Sequence, residues 1–418
     1  MKSLDSKIAV VGGGFSGLFI AAQLQKKGYK NVTVFEKEDR LGGKLNTIWY
    51  KGRSYELGAL FGLPVQKNLQ SLMKELNIKP DGPSLSRVSY DAEGNKILQI
   101  PQNKLDDFLE EIYRLPDVLE DYKSLRNVNI KFIEKRLAMP FAKWCDFHNL
   151  TVLKRIYTHH FSSYGLGDIN EVPAVYVLRL LNFQTVMAFL EVPELFTWKH
   201  GVSSIVDRLS QRVKDLRLGQ KVSQVEPTNA QTLVLYTEYE KLEFDQAIIT
   251  APLNQFTHLY EQDNEMVDFL KSIKYNNYTV YAFLGDNLPN GCGCVLENLK
   301  TTKKGHLVIW NSRWDSTIDE ELLTVYAYNN PNHSKEESMN ILKADLVKLG
   351  VKNPRLYQYK NWQKQGPYVE SEVLQKGFYE KLESMQGKHN VFLAGEIMST
   401  VSMENCIKYS NFLISKYF

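Results

Sequence analysis

The 418-residue chain has few cysteines and no long apolar run. Its four cysteines are too few for the disulfide framework of a small secreted domain. No apolar stretch approaches the roughly 20 residues that a membrane-spanning helix needs. The apolar run after Lys7 is also too short for the core of a signal peptide. We therefore expect a cytoplasmic protein, for which transient contact with a membrane surface stays open.

Charge and metal-ligand patterns are equally sparse. The net charge is only +3 and no block of lysine or arginine stands out, which argues against a nucleic-acid partner. Cys292-Gly293-Cys294 lacks the second pair of a zinc site, so we interpret it as a loop with reduced thiols. His159-His160 is an isolated pair that we interpret as structural. The sequence therefore predicts no metal site, and it leaves the oligomeric state open.

What the sequence does contain is a glycine-rich turn near its start. The apolar run Ile8–Val11 predicts a strand, and an apolar-rich helical stretch follows the glycines. In a strand–turn–helix unit, Gly12 permits the tight turn, Gly14 lets the backbone approach a diphosphate, and Gly17 lets the helix pack on the strand. A glycine-rich turn also occurs as an ordinary connection between two secondary-structure elements, without any ligand. The hypothesis is that a dinucleotide lies here, with Phe15 and Ser16 at the helix start also in its site.

Further segments extend this hypothesis beyond one turn. Glu36 ends a second predicted strand, where an acid can bind ribose hydroxyls, although it could also be a solvated strand-end glutamate. Next come Arg40-Leu41-Gly42-Gly43-Lys44 and then Gly58-Ala59, two stretches whose small residues let the backbone lie against a ligand.

These motifs resemble the FAD-binding start of the flavin amine oxidase and phytoene desaturase superfamily. The resemblance implies that Glu36 holds the adenosine ribose, that the segment from Arg40 to Lys44 lines the diphosphate and ribityl chain, and that Gly58-Ala59 lies near the isoalloxazine ring. The cofactor site predicted from this part of the chain comprises Gly12, Gly14, Phe15, Ser16, Gly17, Glu36, Lys37, Arg40, Gly42, Gly43, Lys44, Gly58 and Ala59.

Two later segments fit the same cofactor domain. Leu218–Val225 is predicted as a strand whose Val222, by the resemblance, contacts adenine through its backbone. Asp245–Pro252 is similar to a superfamily strand that ends at a proline, and it departs from that pattern only at Ala247, where a valine is usual.

The end of the chain resembles the segment that closes the FAD site. Gly395 and Glu396 are implied to bind the diphosphate and ribityl chain, and Met403–Tyr417 is predicted as a helix whose start, including Cys406, faces the flavin. This helix start departs from the small-residue pattern of amine oxidases. No cysteine lies between Cys294 and the Ala394-Gly395-Glu396 segment, so a covalent flavin link of the monoamine oxidase type has no counterpart. We expect non-covalent FAD.

Nearly the whole chain is similar to the bacterial polyunsaturated fatty acid isomerases. The specific segments are Gly52–Ala59, Asp81-Gly82-Pro83, Val172–Leu178, Met385-Gln386-Gly387 and Ala394–Ser399.

In that family the flavin N5 takes a hydride from a doubly allylic carbon and returns it at the far end of the cation. An arginine and an aromatic residue guard the entrance, and the arginine holds the carboxylate. The matching positions are Arg87 and Phe189, which without the resemblance would be interpreted as a surface arginine and a core aromatic residue. No catalytic side chain is predicted, because the flavin itself carries the chemistry.

The expected fold class is α/β in several domains. A discontinuous Rossmann-type FAD-binding domain takes residues 1–65, 200–252 and 386–418, a mixed β-sheet substrate domain takes 82–100 and 253–385, and a helical cap takes 101–199.

Three functional hypotheses follow from the sequence. The first is an FAD-dependent isomerase that shifts a double bond in a polyunsaturated free fatty acid. The second is an FAD-dependent oxidase or desaturase of an apolar or amine substrate. The third is a flavin-binding protein without turnover. The first is favoured by the resemblance. The single dinucleotide fingerprint supports it, because without an NAD(P)H domain the reduced flavin must return its hydride to the substrate, pass electrons to oxygen or meet a separate acceptor, and only the first needs no further site.

Overall fold

The computed structural model describes residues 3–85, 87–190, 195–228, 231–314 and 321–418. Of Arg87 only the backbone is described. Two large sheets, two small antiparallel units and a group of cap helices make up the described architecture, and the predicted α/β fold class is confirmed. The division into three domains stays a prediction.

The first sheet is parallel and has five strands. They are β1 (Lys7–Val11), β2 (Asn31–Phe35), β7 (Asp215–Arg217), β11 (Gln246–Ile249) and β17 (Val391–Leu393), in the order β17-β11-β1-β2-β7. Three helices pack against this unit, namely α1 (Phe15–Lys26), α8 (Ser203–Ser210) and α14 (Met403–Tyr417). The central strands are apolar and buried because both faces of a parallel sheet are covered.

The chain also forms two small antiparallel units. One has three strands, β8 (Gln224–Pro227), β9 (Leu233–Tyr236) and β10 (Lys241–Phe244). The other is a hairpin of β3 (Thr47–Tyr50) and β4 (Arg53–Glu56).

The second large sheet is mixed and has seven strands. They are β5 (Arg87–Tyr90), β6 (Lys96–Ile97), β12 (Lys274–Asp286), β13 (Gly291–Val295), β14 (Ile309–Ser312), β15 (Glu321–Tyr328) and β16 (Lys352–Tyr368), in the order β16-β12-β15-β14-β13-β5-β6. Only the β13–β5 pair is parallel among the pairs described. Strand β5, although early in the chain, is thereby built into a sheet whose other long strands come after residue 273.

The cap consists of helices that follow strand β6 and precede strand β7 in the chain. They are α3 (Leu105–Glu120), α4 (Phe141–Phe147), α5 (Thr151–Ser162), α6 (Ala174–Leu180) and α7 (Phe183–Leu190). The remaining helices are α2 (Lys67–Glu75), α9 (Asn264–Lys271), α10 (Lys335–Lys348), α11 (Ser371–Gln375), α12 (Phe378–Ser384) and α13 (Glu396–Ser399).

One large apolar core joins the parallel sheet, the cap and the inner face of the mixed sheet. A smaller core lies between the mixed sheet and α10, where Trp310 and Phe283 pack with Leu342 and Leu346. The central strands β14 and β15 of the mixed sheet are therefore buried, and the inner face of the sheet is shared with the cap. Among the described residues, no helix combines the length and the apolarity needed to cross a bilayer.

Three predictions for single segments are wrong. Leu218–Val225 is not one strand, because Gly219 turns the chain at φ +63° and the segment returns to donate backbone hydrogen bonds to Glu36 and Glu38. Val222 therefore lies in the loop between β7 and β8. The apolar residues within 97–100 also predict a strand from the sequence, but in the structure this strand ends at Ile97, the last residue of β6 that pairs with β5.

The third correction concerns Cys292-Gly293-Cys294, which forms part of strand β13 and not a loop. Gly293 is required there because a Cβ atom would lie 1.8 Å from the indole ring of Trp310 on the neighbouring strand. All four cysteines are buried and none forms a disulfide, as expected.

The cap depends on one buried carboxylate. Glu111 on α3 is only 5% exposed and accepts hydrogen bonds from the backbone N–H groups of Thr151, Val152 and Leu153 at 2.7–3.0 Å. These groups form the first turn of α5, whose N–H groups have no partner within the helix. Negative charge at this end also suits the helix dipole.

We predict that Glu111→Ala destabilises the cap. The variant leaves the N–H groups of the first turn of α5 without an acceptor, so the free energy of unfolding should fall by about 2–3 kcal/mol. Chemical denaturation of the FAD-loaded protein, followed by tryptophan fluorescence, measures this change. Glu110→Ala is the matched control, because Glu110 is exposed on the same helix and its loss should cost less than about 0.5 kcal/mol. Equal stabilities for the two variants would contradict the assignment.

Candidate active site

The glycine turn between β1 and α1 is held by backbone contacts. Gly12 has φ +114°, and a Cβ atom there would lie 2.6 Å from Oγ1 of Thr250. A Cβ atom on Gly17 would lie 2.0 Å from the carbonyl oxygen of Gly12. Both positions therefore require glycine for steric reasons.

Gly14 differs from its two neighbours in the turn. Its backbone angles, φ −71° and ψ 178°, suit any residue, and a Cβ atom would meet only the Cα of Gly43, at 3.9 Å. Gly14 is also the N-cap of α1 and gives the helix no side-chain cap, and the first turn carries no acid. The N-terminus of α1 therefore offers N–H groups and a positive dipole beside open space.

A long groove of about 410 Å³ runs along the carboxyl edge of the parallel sheet. The structure brings to it fifteen of the residues that the sequence assigned to the cofactor, namely Gly12, Gly14, Phe15, Ser16, Gly17, Glu36, Lys37, Arg40, Gly42, Gly43, Lys44, Val222, Gly395, Glu396 and Cys406. The two others, Gly58 and Ala59, line the cavity that continues it. Their individual roles toward FAD stay a prediction.

Glu36 lies directly after β2 and forms part of the groove wall. Its carboxylate accepts hydrogen bonds from the backbone N–H groups of Gly13 at 2.8 Å and Glu38 at 2.9 Å. Each oxygen accepts one of these bonds and has acceptor capacity left for a hydroxyl group. Glu36 therefore ties the glycine turn to the end of β2 while remaining part of the groove wall.

Arg40 shapes the next loop. Its guanidinium donates to the carbonyl oxygens of Leu41 at 3.1 Å and Gly43 at 2.6 Å, and lies over the ring of Trp362 at 5.5 Å. Gly42 and Gly43 both have positive φ, so the loop can follow the groove closely. Through these hydrogen bonds, Arg40 stabilises the backbone conformation of the loop that contains Gly42 and Gly43.

A buried carboxylate holds the segment before Gly58-Ala59. Glu56 at the end of β4 accepts hydrogen bonds from Oγ1 of Thr47 at 2.8 Å and the backbone N–H of Val202 at 2.9 Å. Its Oε1 lies 3.4 Å from Nη1 of Arg313, which is equally buried. Burial raises the pKa of Glu56 to about 7, although Arg313 counteracts this effect. The pair fixes the hairpin to the mixed sheet and so positions Gly58.

The groove leads into an inner cavity of about 300 Å³ between the cap and the mixed sheet. Six residues line both spaces, namely Phe15, Lys44, Leu45, Trp362, Glu396 and Cys406. Lys44 and Glu396 form an ion pair at this junction. Most other lining side chains are apolar or aromatic, among them Leu60, Phe61, Leu63, Val65, Leu166, Leu180, Leu181, Tyr278, Val280, Ile309 and Tyr326.

The start of α14 forms one wall of the inner cavity. Ser402 caps this 15-residue helix by accepting a hydrogen bond from the backbone N–H of Asn405 at 3.0 Å. Cys406 is buried beside Oγ of Ser399 at 3.3 Å, and burial raises the pKa of its thiol to about 12. The thiol is therefore protonated at neutral pH and is a poor nucleophile.

Several polar side chains that line the inner cavity already form hydrogen bonds with other protein groups. Tyr278 donates to the carbonyl oxygen of Ser163, and Tyr326 to that of Glu56 at 3.3 Å. Burial raises the pKa of both phenols well above the usual value, so both are neutral. Glu404 accepts hydrogen bonds from the side chain of Asn68 and the backbone of Leu69. The apolar part of the cavity is thus suited to holding a chain of carbon atoms.

The two predicted substrate residues are described unequally. Phe189 on α7 is 4% exposed, lines the inner cavity and lies edge-on to Phe61 at 5.8 Å. Arg87 begins β5, opposite Cys292 of β13, and its side chain lies outside the described part of the structure. The roles of both residues stay predictions.

Several lining residues were missed or misjudged from the sequence. His160, interpreted as structural, lines the inner cavity, and Tyr164 and Trp362 line it as well. The adjacent histidines were the only local signal. Trp362 lies in the long strand β16, more than 300 residues from the glycine turn, and nothing in its neighbourhood marks it.

Comparison with known proteins decides the family. The model of the flavin containing amine oxidoreductases matches residues 15–409. The chain belongs to this family. FAD is therefore its cofactor, in agreement with a groove whose glycines leave room for a diphosphate and whose helix N-terminus suits its charge.

Individual relatives place the chain within this family. It is similar to the crystal structure of a CLA-producing fatty acid isomerase from P. acnes, with a TM-score of 0.93 and 27% identity over 100% of both chains. It is 24% identical to the FAD-dependent oxidoreductase oblC of Cochliobolus heterostrophus, over 97% of this chain and 89% of that protein. A third relative, the polyenoic fatty acid isomerase of Ptilota filicina, is 36% identical over 18% of this chain and 15% of that protein. The family and these similarities identify the chain as an FAD-dependent enzyme.

The free space at Gly14 yields a prediction for FAD binding. Gly14→Ala should fold normally, because its Cβ atom meets no protein atom closer than 3.9 Å, yet it should weaken FAD binding by about tenfold or more because the methyl group enters the groove. Titration of the apoprotein with FAD, followed by flavin fluorescence, measures the affinity.

Gly17→Ala is the contrasting variant. Its Cβ atom clashes with the backbone of Gly12, so the melting temperature of the apoprotein should fall as well as the affinity. Wild-type FAD affinity in Gly14→Ala would show that the diphosphate does not lie against this residue.

Proposed function

We propose that the protein is an FAD-dependent isomerase that shifts a double bond in a polyunsaturated free fatty acid and gives a conjugated product. The observation that carries this proposal is the mostly apolar inner cavity, which adjoins the FAD groove and shares six lining residues with it, among them Lys44 and Glu396. The similarity to the CLA-producing fatty acid isomerase over the full length of both chains supports it.

In this proposal the chemistry that bound FAD supplies is acceptance of a hydride at N5 from a doubly allylic carbon and its return at the far end of the same system. The protein then needs no acid or base, because no proton leaves the substrate. This requirement is compatible with the neutral phenols of Tyr278 and Tyr326 and with the protonated thiol of Cys406. The aliphatic and aromatic walls bind the chain and exclude water, which would otherwise trap a cation.

The residues of the groove are proposed to hold FAD non-covalently. Glu36 would accept from the ribose hydroxyls, and the N-terminus of α1 would bind the diphosphate. Gly58 and Ala59 would lie near the ring system. The start of α14 would face the pyrimidine edge, where its N–H groups favour negative charge. Val222 would contact adenine through its backbone, and the loop that it occupies lines the groove as this role requires.

Arg87 and Phe189 are proposed to act at the entrance. A guanidinium is always charged and can bind a carboxylate in a fork, so Arg87 suits the head group of a free acid. Its strand neighbours Val88 and Ser89 line a second cavity, which adjoins the inner one at Tyr164. Phe189, buried at the edge of the inner cavity, would close the way to the flavin.

The alternative is an FAD-dependent oxidase or desaturase of an apolar or amine substrate. Relatives with such names support it, among them the coproporphyrinogen III oxidase of Staphylococcus aureus, which is 21% identical over 83% of this chain. In an oxidase the electrons would pass to oxygen, and the product would be more oxidised than the substrate.

Anaerobic incubation with linoleic acid separates these possibilities. We expect a conjugated diene, detected by its ultraviolet absorbance, without oxygen and without net oxidation, because the hydride returns to the substrate. Product that forms only with oxygen, together with peroxide, would favour the oxidase. A yellow protein that converts no polyunsaturated acid or amine would be a flavin-binding protein without turnover.

Arg87→Gln tests the carboxylate contact. Loss of a charged hydrogen-bonding pair should raise the apparent KM for linoleic acid by about tenfold or more, and leave the KM for its methyl ester nearly unchanged. Steady-state kinetics with both substrates measure the difference. Arg208→Gln is the control, since Arg208 is exposed on α8. An unchanged KM for the acid in Arg87→Gln would remove this residue from the site.

A further inference from the structure

Two cavities meet at one layer of side chains in the cap. An outer cavity of about 400 Å³ lies beside the inner one, and Tyr164 and Ile309 line both. Its other walls come from the strands β5, β6 and β13 and from Gln99 and His159. A fatty acid held by its carboxylate near β5 would have to cross this layer to reach the flavin.

A stack of three rings lies in this layer. His160 on α5 is 1% exposed, and its ring lies on that of Phe189 at 4.3 Å with an angle of 14° between the planes. The ring of His159 lies at 4.9 Å and 9° from that of His160. His159 lines the outer cavity, whereas His160 and Phe189 line the inner one. The stack therefore passes from one cavity to the other.

A hydrogen bond fixes the middle ring of this stack. Nε2 of His160 lies 3.2 Å from the side-chain amide nitrogen of Gln99. Gln99 follows β6 and lines the outer cavity. The orientation of His160 is thus set by a residue on the outer side, while its face supports Phe189 on the inner side.

We propose that His160 is a positioning residue that holds the Phe189 ring across the passage between the two cavities. The fatty-acid chain reaches the flavin only when this stack opens, and His160 sets how readily it opens. This inference rests on the proposed function. It assigns to His160 a role that acts through contact with Phe189 and requires no contact with the reacting carbon atoms of the substrate.

The test measures entry without chemistry. Stearic acid has no double bond to move, so mixing it with the FAD-loaded protein in a stopped-flow instrument reports binding alone, through the change in flavin absorbance. His160→Leu introduces an apolar side chain of similar size and removes both the ring and its hydrogen bond to Gln99. Entry and release rates should both rise about two- to tenfold, the size expected from one aromatic stack, while the equilibrium affinity changes less than about threefold.

Two further variants separate the stack from the hydrogen bond. His160→Phe keeps a ring over Phe189 but loses the hydrogen bond to Gln99, so its rates should lie between those of the wild type and His160→Leu. Gln99→Leu removes only the hydrogen bond and should give rates between those of the wild type and His160→Leu. Unchanged entry and release rates in His160→Leu overturn the proposal, and so does a His160→Phe variant as fast as His160→Leu.

The outcome also separates this inference from the function on which it rests. If the wild-type protein binds stearic acid but does not convert linoleic acid, the positioning role is tested by the same variants and only the isomerase proposal fails. If the wild-type protein binds no fatty acid, both proposals fail. If His160→Leu fails to retain FAD, the comparison of Gln99→Leu with the wild type decides, since equal rates overturn the proposal.

Discussion

The structure depends on a close approach of backbone to backbone at the carboxyl edge of the parallel sheet. Oγ1 of Thr250 donates to the carbonyl oxygens of Val11 and Gly12, so the end of β11 is bound to the glycine turn. Gly17 and Gly395 lie so close to neighbouring carbonyl oxygens that a Cβ atom would be 2.0 Å and 2.5 Å away. Three segments far apart in the chain meet here, and the FAD groove exists because they meet.

A second constraint separates polar from apolar space. The groove is walled by backbone, by Glu36 and by the Arg40 loop, all of which suit a charged and hydroxylated ligand. Beyond the Lys44–Glu396 ion pair the lining becomes mostly aliphatic and aromatic. The cap, α14 and the mixed sheet supply most of this part, and the mixed sheet also lines the groove, where the guanidinium of Arg40 lies over Trp362 of β16. The division lets one site hold a polar cofactor and an apolar substrate in contact.

The first part of this arrangement could be predicted because its signals are local. The turn at Gly12–Gly17, the acid at Glu36 and the helix Met403–Tyr417 are each encoded within a few residues, and the structure has them as predicted. The strand predicted over Leu218–Val225 was wrong, because backbone hydrogen bonds to Glu36 and Glu38 override the local apolar pattern. The loop predicted at Cys292–Cys294 was wrong for a similar reason, since Trp310 needs the space above Gly293.

The sequence by itself determined the fold class and, through its resemblance to a known FAD-binding superfamily, the cofactor, because a nucleotide is bound by short glycine-containing turns that are encoded locally. Only the tertiary structure decided what lies at the flavin end. The inner cavity is assembled from α5, α7, α14 and the mixed sheet, and His160, Trp362 and Phe189 come together there from three distant segments. Residues that are brought together only by tertiary packing have no fixed spacing in the sequence. Their shared position at the cavity is therefore visible only in the folded structure.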